Sequence, residues 1–463
     1  MNAGGFVDSG PVGLLIQQLT AHRSPLTADS SQPTDHGFLT PEDWNSVADI
    51  AVYYGLAPLL FRRLKKSDAR ARIPADAWER LRLAYFSRAG RNVRLYRELR
   101  PVLQCLRSSG IPVIVLKGAF LAEAVYGDVA LRPMGDVDLM VPRAELPRAQ
   151  AVLLDMGGVP AYLEDIEWCC RRNAHLPAVV IRDLVIEIHW TIVTPTGPVR
   201  IDAAGLWDRA QPATIAGVEV LALSPEDLLL HLCLHTSHRD GFKVGLRPFS
   251  DIAETIRRFR NETDPEVRHG TTEHAENWRV RSEPRPSPGS VLAVASVVDS
   301  IPVPGIDWQQ VVERAREWGA ARYVGLTLHL ARSLMDAGVP DDVLERLVPG
   351  GIARRVLEMA RESVLTQTGY EEMTPFFDLL GAQSLGDKAK LSWGRVFLSR
   401  EEMAAKYPAS RNSRHLGRYY VLRLRDVIRT FGSYALKRGR SMMRIRGRNR
   451  RVLLVNWLKS GKP

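Results

Sequence analysis

The chain has 463 residues, 45% of them hydrophobic, so it is long enough for two or three compact units with an ample core. Its four cysteines form no C-x-x-C motif and no paired framework, which excludes a disulfide scaffold and a zinc ribbon and suits a reducing compartment. The N-terminus lacks the pattern of a signal peptide, and every apolar stretch is far shorter than the roughly 20 residues that span a bilayer. We therefore expect a cytoplasmic protein.

The first 110 residues have the spacing of apolar residues that is typical of helices. Thr40 precedes a proline and two acids, which predicts an N-cap and the first turn of a helix. Apolar residues then follow at helical spacing over 44–64 and again over 75–106, and the second run stops at Gly110. Residues 1–110 are therefore predicted to form a helical N-terminal region.

The sequence pattern changes after Gly110, where short runs of β-branched residues alternate with segments of helical spacing. The predicted elements are strands at 112–116, 136–141, 176–181 and 184–190, and helices at 118–126 and 144–156. This order indicates a small mixed β-sheet with helices packed on one face, within a core domain at 111–222. The fold class is therefore predicted to be α+β, with helical regions before and after the core.

The rest of the chain is predicted to form a helical C-terminal region at 223–436. Ser224 precedes a proline and two acids, which indicates another N-cap. Residues 261–289 are polar and proline-bearing without any period, which predicts a mobile loop. Helical spacing resumes at 308–318 and 322–337.

The net charge of +11 is concentrated in a tail at 437–463. Ten cations and no acid lie between Lys437 and Lys462, so subtracting them leaves +1 for the rest of the chain. Three interpretations of the tail stay open: binding nucleic-acid phosphates, peripheral contact with an anionic membrane through the arginines and the apolar patch at 452–458, or a disordered solubilising end. The nearly neutral body argues against nucleic acid as the main partner.

Two carboxylates lie two residues apart on the predicted strand at 136–141. Asp136 and Asp138 leave the same face of that strand, where they repel each other unless a cation lies between them. Oxygen ligands of this kind suit Mg²⁺. Downstream, Glu187 and His189 share one face of an otherwise apolar strand, and a metal ion beside the two aspartates would give Glu187 a partner.

A glycine stands upstream of this pair, where a strand enters a helix. Gly118 at the start of the helix lets phosphate oxygens approach backbone N–H groups, and the helix dipole favours their negative charge. Lys117 ends an apolar strand beside this turn and needs a polar partner, which a phosphate would supply. Arg132 is a further candidate for a phosphate contact, and a solvated loop arginine is the alternative.

The glycine turn, the D-x-D strand and the third acidic strand together resemble the DNA polymerase β-like nucleotidyltransferase superfamily. The segments LKGAFLAEAVYGDVALRPMGDVDLMV, NAHLP and VIEIHW are similar to a bacterial family described as uncharacterised nucleotidyltransferases. The resemblance covers residues 112–190 and extends more loosely into the helices on either side, including LRPFSDIAE and FLSREEMAAKY. Four separated elements agree in order and spacing.

The resemblance implies a role for each matching residue. Asp136, Asp138 and Glu187 would be the catalytic carboxylates and hold two Mg²⁺ ions, with Mn²⁺ as an alternative, and Gly118 would lie against the triphosphate. Where most of the superfamily has Gly-Ser or Gly-Gly, this chain has Lys-Gly-Ala, so the serine contact is missing and Lys117 is expected to serve as the phosphate cation. We also place Arg132 and His189 at the nucleotide.

The predicted reaction is transfer of a nucleoside monophosphate from an NTP, with ATP expected, to a hydroxyl of an unknown acceptor. The acceptor is a small molecule or a protein, and pyrophosphate is released. Two alternatives stay open: a catalytically inactive nucleotide-binding or interaction protein that retains the fold, and a nucleic-acid-directed transferase.

Two features outside the motif set remain to be placed. His231, His235 and His238 lie on one face of a predicted helix. We interpret them as lining an acceptor pocket rather than binding zinc, because no glutamate lies between the first two. Asp251 is interpreted either as the partner of a basic residue that braces the site or as a surface acid.

Overall fold

A computed structural model describes residues 10–20, 39–65, 67–161, 165–243, 245–260, 305–366, 403, 417–425, 454 and 457–461. Met1–Tyr162 and Ile166–Gly351 form one compact unit, and Leu163–Asp165 and Ile352–Pro463 form a second. The sheet and every predicted site residue belong to the first unit. The predicted loop at 261–289 lies outside the described residues.

In the part of the N-terminal region that the structure describes, four α-helices precede the sheet, at Pro11–Thr20 (α1), Pro41–Tyr53 (α2), Ala57–Lys65 (α3) and Ala75–Ser108 (α4). The predicted cap is present: the Thr40 hydroxyl accepts a hydrogen bond from the Asp43 N–H, and the Asp43 carboxylate accepts one from the Thr40 N–H. The run predicted at 44–64 is divided in two, because Gly55 between α2 and α3 has a φ of 69°.

A seven-stranded mixed sheet forms the centre of the first unit. Its strands stand in the order β3-β4-β5-β2-β1-β7-β6. Their bounds are Ile114–Val115 (β1), Val137–Met140 (β2), Val159–Pro160 (β3), Val179–Ile181 (β4), Leu184–His189 (β5), Gln211–Ile215 (β6) and Val218–Ala222 (β7). All four strands predicted from the sequence are present, and the α+β class is confirmed.

Strand direction varies across the sheet. β2 runs parallel to β5 and antiparallel to β1, and β1 runs parallel to β7. The remaining pairs, β3–β4, β4–β5 and β6–β7, are antiparallel. In the centre of the sheet, β2 is buried along its whole length, which explains why its residues are apolar except for Asp138.

The hairpin of β6 and β7 has no counterpart in the sequence prediction. Its two-residue turn is Ala216-Gly217, and both residues have positive φ, 53° and 72°. Such turns match the twist of the strands but usually carry asparagine or aspartate at the first position. Because Ala216 is a poor signal for this turn, the sequence pattern did not reveal it.

Short helical segments connect the strands, and longer helices follow the sheet. The connecting helices are Lys117–Phe120 (α5), continued by a π-helical turn at Leu121–Val125, then Leu146–Asp155 (α6), Ile166–Arg172 (α7) and Ala203–Asp208 (α8). The later helices are Pro225–Leu234 (α9), continued by a π-helical turn at His235–Arg239, then Arg247–Arg258 (α10), Trp308–Glu317 (α11), Ala321–Met335 (α12), Asp341–Leu347 (α13) and Arg354–Thr366 (α14). The predicted cap at Ser224 is present, since its hydroxyl accepts from the Asp227 N–H.

In the described part of the chain, no helix is both long and apolar enough to cross a membrane. Most of the basic tail lies outside the described residues. Of its apolar patch at 452–458, the side chains of Leu454, Trp457 and Leu458 are buried. A contact of the tail with an anionic surface would therefore depend on its cations rather than on these three side chains.

Candidate active site

The site is built on the parallel pair β2 and β5. Their register sets Asp138 directly beside Glu187, so two carboxylates from separate parts of the chain lie on neighbouring strands. Asp136 lies two residues before Asp138, just ahead of β2, and is exposed. The three carboxylates that the sequence analysis singled out therefore come from one small region at the middle of the sheet.

Asp138 is buried, with 5% of its surface exposed, and is held by two cationic or polar neighbours. The Lys117 ammonium lies 3.0 Å from Oδ2, and His189 Nε2 lies 2.8 Å from Oδ1. Burial by itself would raise the pKa of this carboxyl, but the charge of Lys117 and the hydrogen bond with His189 outweigh it and hold the pKa well below its usual range. Asp138 is therefore ionised.

Lys117 adopts an unusual backbone conformation at the junction of β1 and α5. Its φ is 31°, in the left-handed region where residues other than glycine are strained, at a typical cost of about 1–3 kcal/mol. The residue is nearly buried, and its ammonium faces Asp138. Strain of this kind persists only where the surroundings fix it, and it concentrates at functional sites.

Asp136 and Glu187 differ in their surroundings. Desolvation, together with the negative charges of Asp138 and Glu187, raises the pKa of Asp136 above its usual value. Burial opposes ionisation of Glu187 as well, but the nearby His189 holds the pKa of Glu187 below its usual value. The three carboxylates thus carry more negative charge than the ammonium of Lys117 neutralises. A bound cation would reduce their mutual repulsion.

The chemistry of the donors fits a divalent cation. Among the described residues, Asp138, Glu187 and His189 each offer one ligand atom, and these atoms lie within 4.8 Å of one another. Asp136 is outside this group, so its role as a ligand stays a prediction. Carboxylate oxygens suit Mg²⁺ and Mn²⁺, whereas an imidazole is more typical of zinc, copper, iron or nickel sites.

Gly118 and Arg132 meet at the start of α5. A Cβ on Gly118 would lie 3.0 Å from Arg132 Nη1 and 3.4 Å from Met134, which is tighter than an ordinary contact, so one of these side chains would have to shift by a few tenths of an ångström. The other two guanidinium nitrogens of Arg132 are held by Asp251, with Nε at 3.1 Å from Oδ1 and Nη2 at 3.0 Å from Oδ2. Arg132 therefore turns Nη1 towards the turn at which the sequence predicted a phosphate.

Residues that the sequence analysis did not single out hold this arrangement in place. The Tyr126 hydroxyl donates to Asp251 Oδ1 at 2.8 Å, and both side chains are buried. From α4, the Asn92 amide donates to the Arg132 carbonyl at 2.8 Å, and the Tyr96 hydroxyl donates to the Ala119 carbonyl. These partners are distant in the chain, so no local pattern could have revealed them.

His189 and His175 lie beside the carboxylates. Their rings are 4.9 Å apart between centroids, and an isolated backbone bridge joins the two residues. His175 Nδ1 is 2.8 Å from the Leu176 carbonyl, and its Nε2 is 3.7 Å from Glu187 Oε2. In the structure, His189 Nε2 contacts Asp138 Oδ1, and the predicted place of His189 at the nucleotide stays a prediction.

The class of protein is given by comparison with known families. A family model described as uncharacterised nucleotidyltransferase matches residues 40–282, just over half of the chain. The chain therefore belongs to this family of nucleotidyltransferases, as the resemblance in the motifs predicted. The match extends beyond the sheet to include α2–α4 before it and α9 and α10 after it.

Two solved structures are similar to part of the chain. The solution structure of the antibiotic-resistance factor ANT(2'')-Ia shares 14% identity with a TM-score of 0.28, covering 36% of this chain and 84% of that one. The crystal structure of ANT(2'')-Ia in complex with adenylyl-2''-tobramycin also shares 14% identity, with a TM-score of 0.27, and covers 35% and 87%. No curated protein matches the chain significantly.

Proposed function

We propose that this protein transfers a nucleoside monophosphate from an NTP, with ATP as the first candidate, to a hydroxyl group of an acceptor. The acceptor oxygen forms a bond to the α-phosphorus, and the bond from that phosphorus to the bridging oxygen breaks. Pyrophosphate leaves with the bonding electrons, and the hydroxyl proton passes to a base. The products are a phosphodiester of the acceptor and pyrophosphate.

One observation carries the proposal: Asp138 and Glu187 are paired across parallel strands, with Asp136 two residues away, in a member of a nucleotidyltransferase family. Three carboxylates this close are an electrostatic cost to the fold, and Lys117 offsets one of them. Burial, together with the charges of Asp138 and Glu187, raises the pKa of Asp136, and such a group of acids is suited to holding cations.

Asp136, Asp138 and Glu187 would hold two divalent cations, Mg²⁺ or Mn²⁺. When bound, such cations polarise the phosphates and favour ionisation of the acceptor hydroxyl. Lys117 keeps Asp138 ionised and brings a positive charge to the edge of the phosphate turn. Glu187 serves as a ligand or as the base that takes the proton, and the ionised state of its carboxylate suits both roles.

Phosphate recognition falls to the turn around Gly118. The guanidinium Nη1 of Arg132 lies beside Gly118, and Asp251 holds the rest of that guanidinium in one orientation. A guanidinium that is fixed in advance loses little entropy when it binds a phosphate oxygen. We assign this arginine and the lysine at position 117 to the triphosphate, in place of the missing serine hydroxyl.

The test uses the full-length protein with each α-labelled NTP, Mg²⁺ and cell extract. Wild type is expected to label an acceptor, and Asp138→Asn is expected to lose more than about 100-fold in rate, since even outer-shell partners of a metal ligand are worth roughly 10- to 100-fold. Asp183→Asn is the matched control, because Asp183 is an exposed acid next to β5 and away from the site.

The labelled product identifies the acceptor, which we expect to be a small molecule or a protein hydroxyl. Equal labelling by wild type and Asp138→Asn would remove the carboxylates from the reaction. If no NTP supports labelling while the protein still binds nucleotide, the chain is a binding protein that retains the fold. Labelling of nucleic acid that weakens steeply with salt would instead indicate a nucleic-acid-directed transferase.

A further inference from the structure

Two helices hold Arg132 from opposite ends of the residue, and each helix carries another arginine one turn before its contact. On α4, Asn92 donates to the Arg132 carbonyl at 2.8 Å, and Arg88 stands four residues earlier. On α10, Asp251 binds the Arg132 guanidinium, and Arg247 stands four residues earlier. Because residues four apart share a helix face, Arg88 and Arg247 lie on the faces that their helices turn towards Arg132.

Arg88, Arg91 and Arg247 form an arginine cluster in which like charges repel. Burial lowers the pKa of Arg88 below its usual value, and the positive charges of Arg91 and Arg247 lower that pKa further. In the part of the chain that the structure describes, no acidic side chain forms an ion pair with any of the three. A guanidinium that is partly removed from water beside two like charges is destabilised unless an anion is bound.

The two half-buried members of the cluster lack the partner that a similar arginine has. Arg63, which is also half-buried, lies 2.7 Å from Glu254. Within the described residues, Arg88 and Arg247 make neither an ion pair nor a side-chain hydrogen bond. The Nε atom of Arg247 is buried, but its two terminal nitrogens and the guanidinium nitrogens of Arg88 are accessible to solvent. These accessible nitrogens can donate to a ligand.

The acids on α10 that are nearest in sequence to Arg247 are occupied by other groups. Asp251 accepts hydrogen bonds from Arg132 and Tyr126, and Glu254 is paired with Arg63. These carboxylates are therefore not the counterions of the arginine cluster. Its positive charge favours an anion from outside the protein.

The place of the cluster favours a phosphate group as this anion. Arg132 turns Nη1 towards Gly118, at the turn assigned to the triphosphate, and α10 binds Arg132 one helical turn from Arg247. A guanidinium presents paired N–H donors that match two oxygens of a phosphate. Arg247 is also the first residue of α10, so the positive end of the helix dipole adds to its charge.

We propose that Arg88, Arg91 and Arg247 form a second phosphate-binding site, distinct from the turn at Gly118, for a phosphate group carried by one of the two substrates. Two sources have this chemistry: the terminal phosphate of the NTP and a phosphate group on the acceptor. The assignment to a substrate rests on the proposed transfer reaction, whereas the binding of phosphate does not. Binding is therefore measured first, without NTP or metal.

The first test is calorimetric titration of the full-length protein with inorganic phosphate, in a chelator and at constant ionic strength. Because the turn at Gly118 is also expected to bind phosphate, the comparison of variants decides the result. Arg88→Gln and Arg247→Gln should each weaken one phosphate site by about 10-fold, the usual order for one hydrogen bond to a charged group. Arg247→Lys should keep part of the affinity, because it retains the charge and loses the paired donors.

The matched control is Arg94→Gln. Arg94 is exposed on the same helix as Arg88, about 120° around the helix axis, and should not affect phosphate binding. Thermal unfolding without phosphate checks folding, and Arg88→Gln and Arg247→Gln should be at least as stable as wild type because one repelling charge is removed. Equal phosphate affinity in these variants and wild type would overturn the proposal. Succinate that binds the cluster as tightly as phosphate would overturn the assignment to phosphate.

The second test identifies which substrate carries the phosphate group, using a non-hydrolysable NTP, the matching NMP and Mg²⁺. If the group is the terminal phosphate of the NTP, Arg247→Gln should weaken NTP binding by about 10-fold and leave NMP binding unchanged. If the group belongs to the acceptor, Arg247→Gln should bind NTP as wild type does, and NTP-saturated wild type should still bind inorganic phosphate at the cluster.

Failure of the site and failure of the proposed function give different results. If wild type transfers nothing from any NTP, the phosphate titrations of the arginine variants still decide whether the cluster binds phosphate. If transfer occurs while all variants bind phosphate equally, the second site is excluded and the reaction stands.

Discussion

Asp138 and Asp251 are both buried aspartates, but the regions around them are built differently. Asp138 shares its surroundings with two more acids, Asp136 and Glu187, against one lysine and His189, whose pKa is raised because its hydrogen bonds to Asp138 and Glu187 outweigh burial. Asp251 is paired with the single guanidinium of Arg132 through two nitrogens and accepts a further hydrogen bond from Tyr126. Charge is in excess in the first region and balanced in the second.

We interpret the first region as the candidate site and the second as the structure that supports it. A balanced, fully bonded pair needs nothing from outside the protein, and it fixes the orientation of Arg132. An excess of one charge costs free energy unless a ligand of the opposite charge is bound. The two regions are linked, because the guanidinium that Asp251 holds faces the phosphate turn beside the carboxylates.

The largest expected effect on stability is in the balanced region. Asp251→Asn leaves the Arg132 charge buried without its counterion, which should lower the free energy of unfolding by about 3–5 kcal/mol. Urea unfolding of the variant and wild type measures this difference. Asp155→Asn, at the exposed end of α6, is the control and should stay within about 0.5 kcal/mol. Equal stability of Asp251→Asn and wild type would mean that the pair is not a brace.

Divalent cations should stabilise the charged region only. Mg²⁺ or Mn²⁺ at about 100 times its dissociation constant should raise the free energy of unfolding of wild type by about 2.7 kcal/mol relative to sodium chloride of equal ionic strength. Thermal unfolding measures the gain. Asp138→Asn should lose it, whereas Asp251→Asn should keep most of it despite its lower stability. A gain that survives in Asp138→Asn would place the cation elsewhere.

Replacing Asp136, one of the three neighbouring acids, should raise the free energy of unfolding, by less than Asp251→Asn lowers it. The pKa of Asp136 is raised in the folded state, so the unfolded chain releases its proton at a lower pH than the folded protein does. The contribution of Asp136 to the free energy of unfolding therefore falls as the pH rises from 3.8, the usual pKa of this carboxyl, to its raised pKa in the folded protein. Above the raised pKa, the contribution stays at this lower level.

Asp136→Asn lacks this loss. In the presence of a chelator, the free energy of unfolding of each protein is compared with its own value at low pH. On this scale, we expect the variant to become more stable than wild type as the pH rises towards neutral. Because Asp136 is exposed, the difference should be only a few tenths of a kcal/mol, up to about 1. Urea unfolding at a series of pH values follows it. A variant that is less stable at neutral pH would show that Asp136 is not under repulsion.

Much of the fold was predictable because its signals are local. The four strands around the site, the long helix α4 and the caps at Thr40 and Ser224 follow from spacing and from single residues. The strand pair β3–β4 and the hairpin β6–β7 were incomplete or missing in the prediction. β3 has only two residues, and the hairpin turns at Ala216, where the sequence gives no turn signal.

The candidate site was predictable only in part, for a physical reason. Carboxylates two apart on a strand share a face, so Asp136 and Asp138 could be singled out, and Glu187 is an acid on an otherwise apolar strand. The pairing of Arg132 with Asp251 joins residues 119 positions apart, and sequence spacing cannot specify such a partner. The ion pair of Lys117 with Asp138 was not predicted for the same reason, and the phosphate contact predicted for Lys117 stays a prediction.

The left-handed backbone at Lys117 ties two properties to one residue. Its ammonium neutralises Asp138, and its φ of 31° sets the turn that leads into Gly118. Glycine would relax that turn and remove the charge, whereas an uncharged side chain such as methionine would remove the charge and keep the strain. No substitution at this position can therefore relax the turn without also removing the charge that neutralises Asp138.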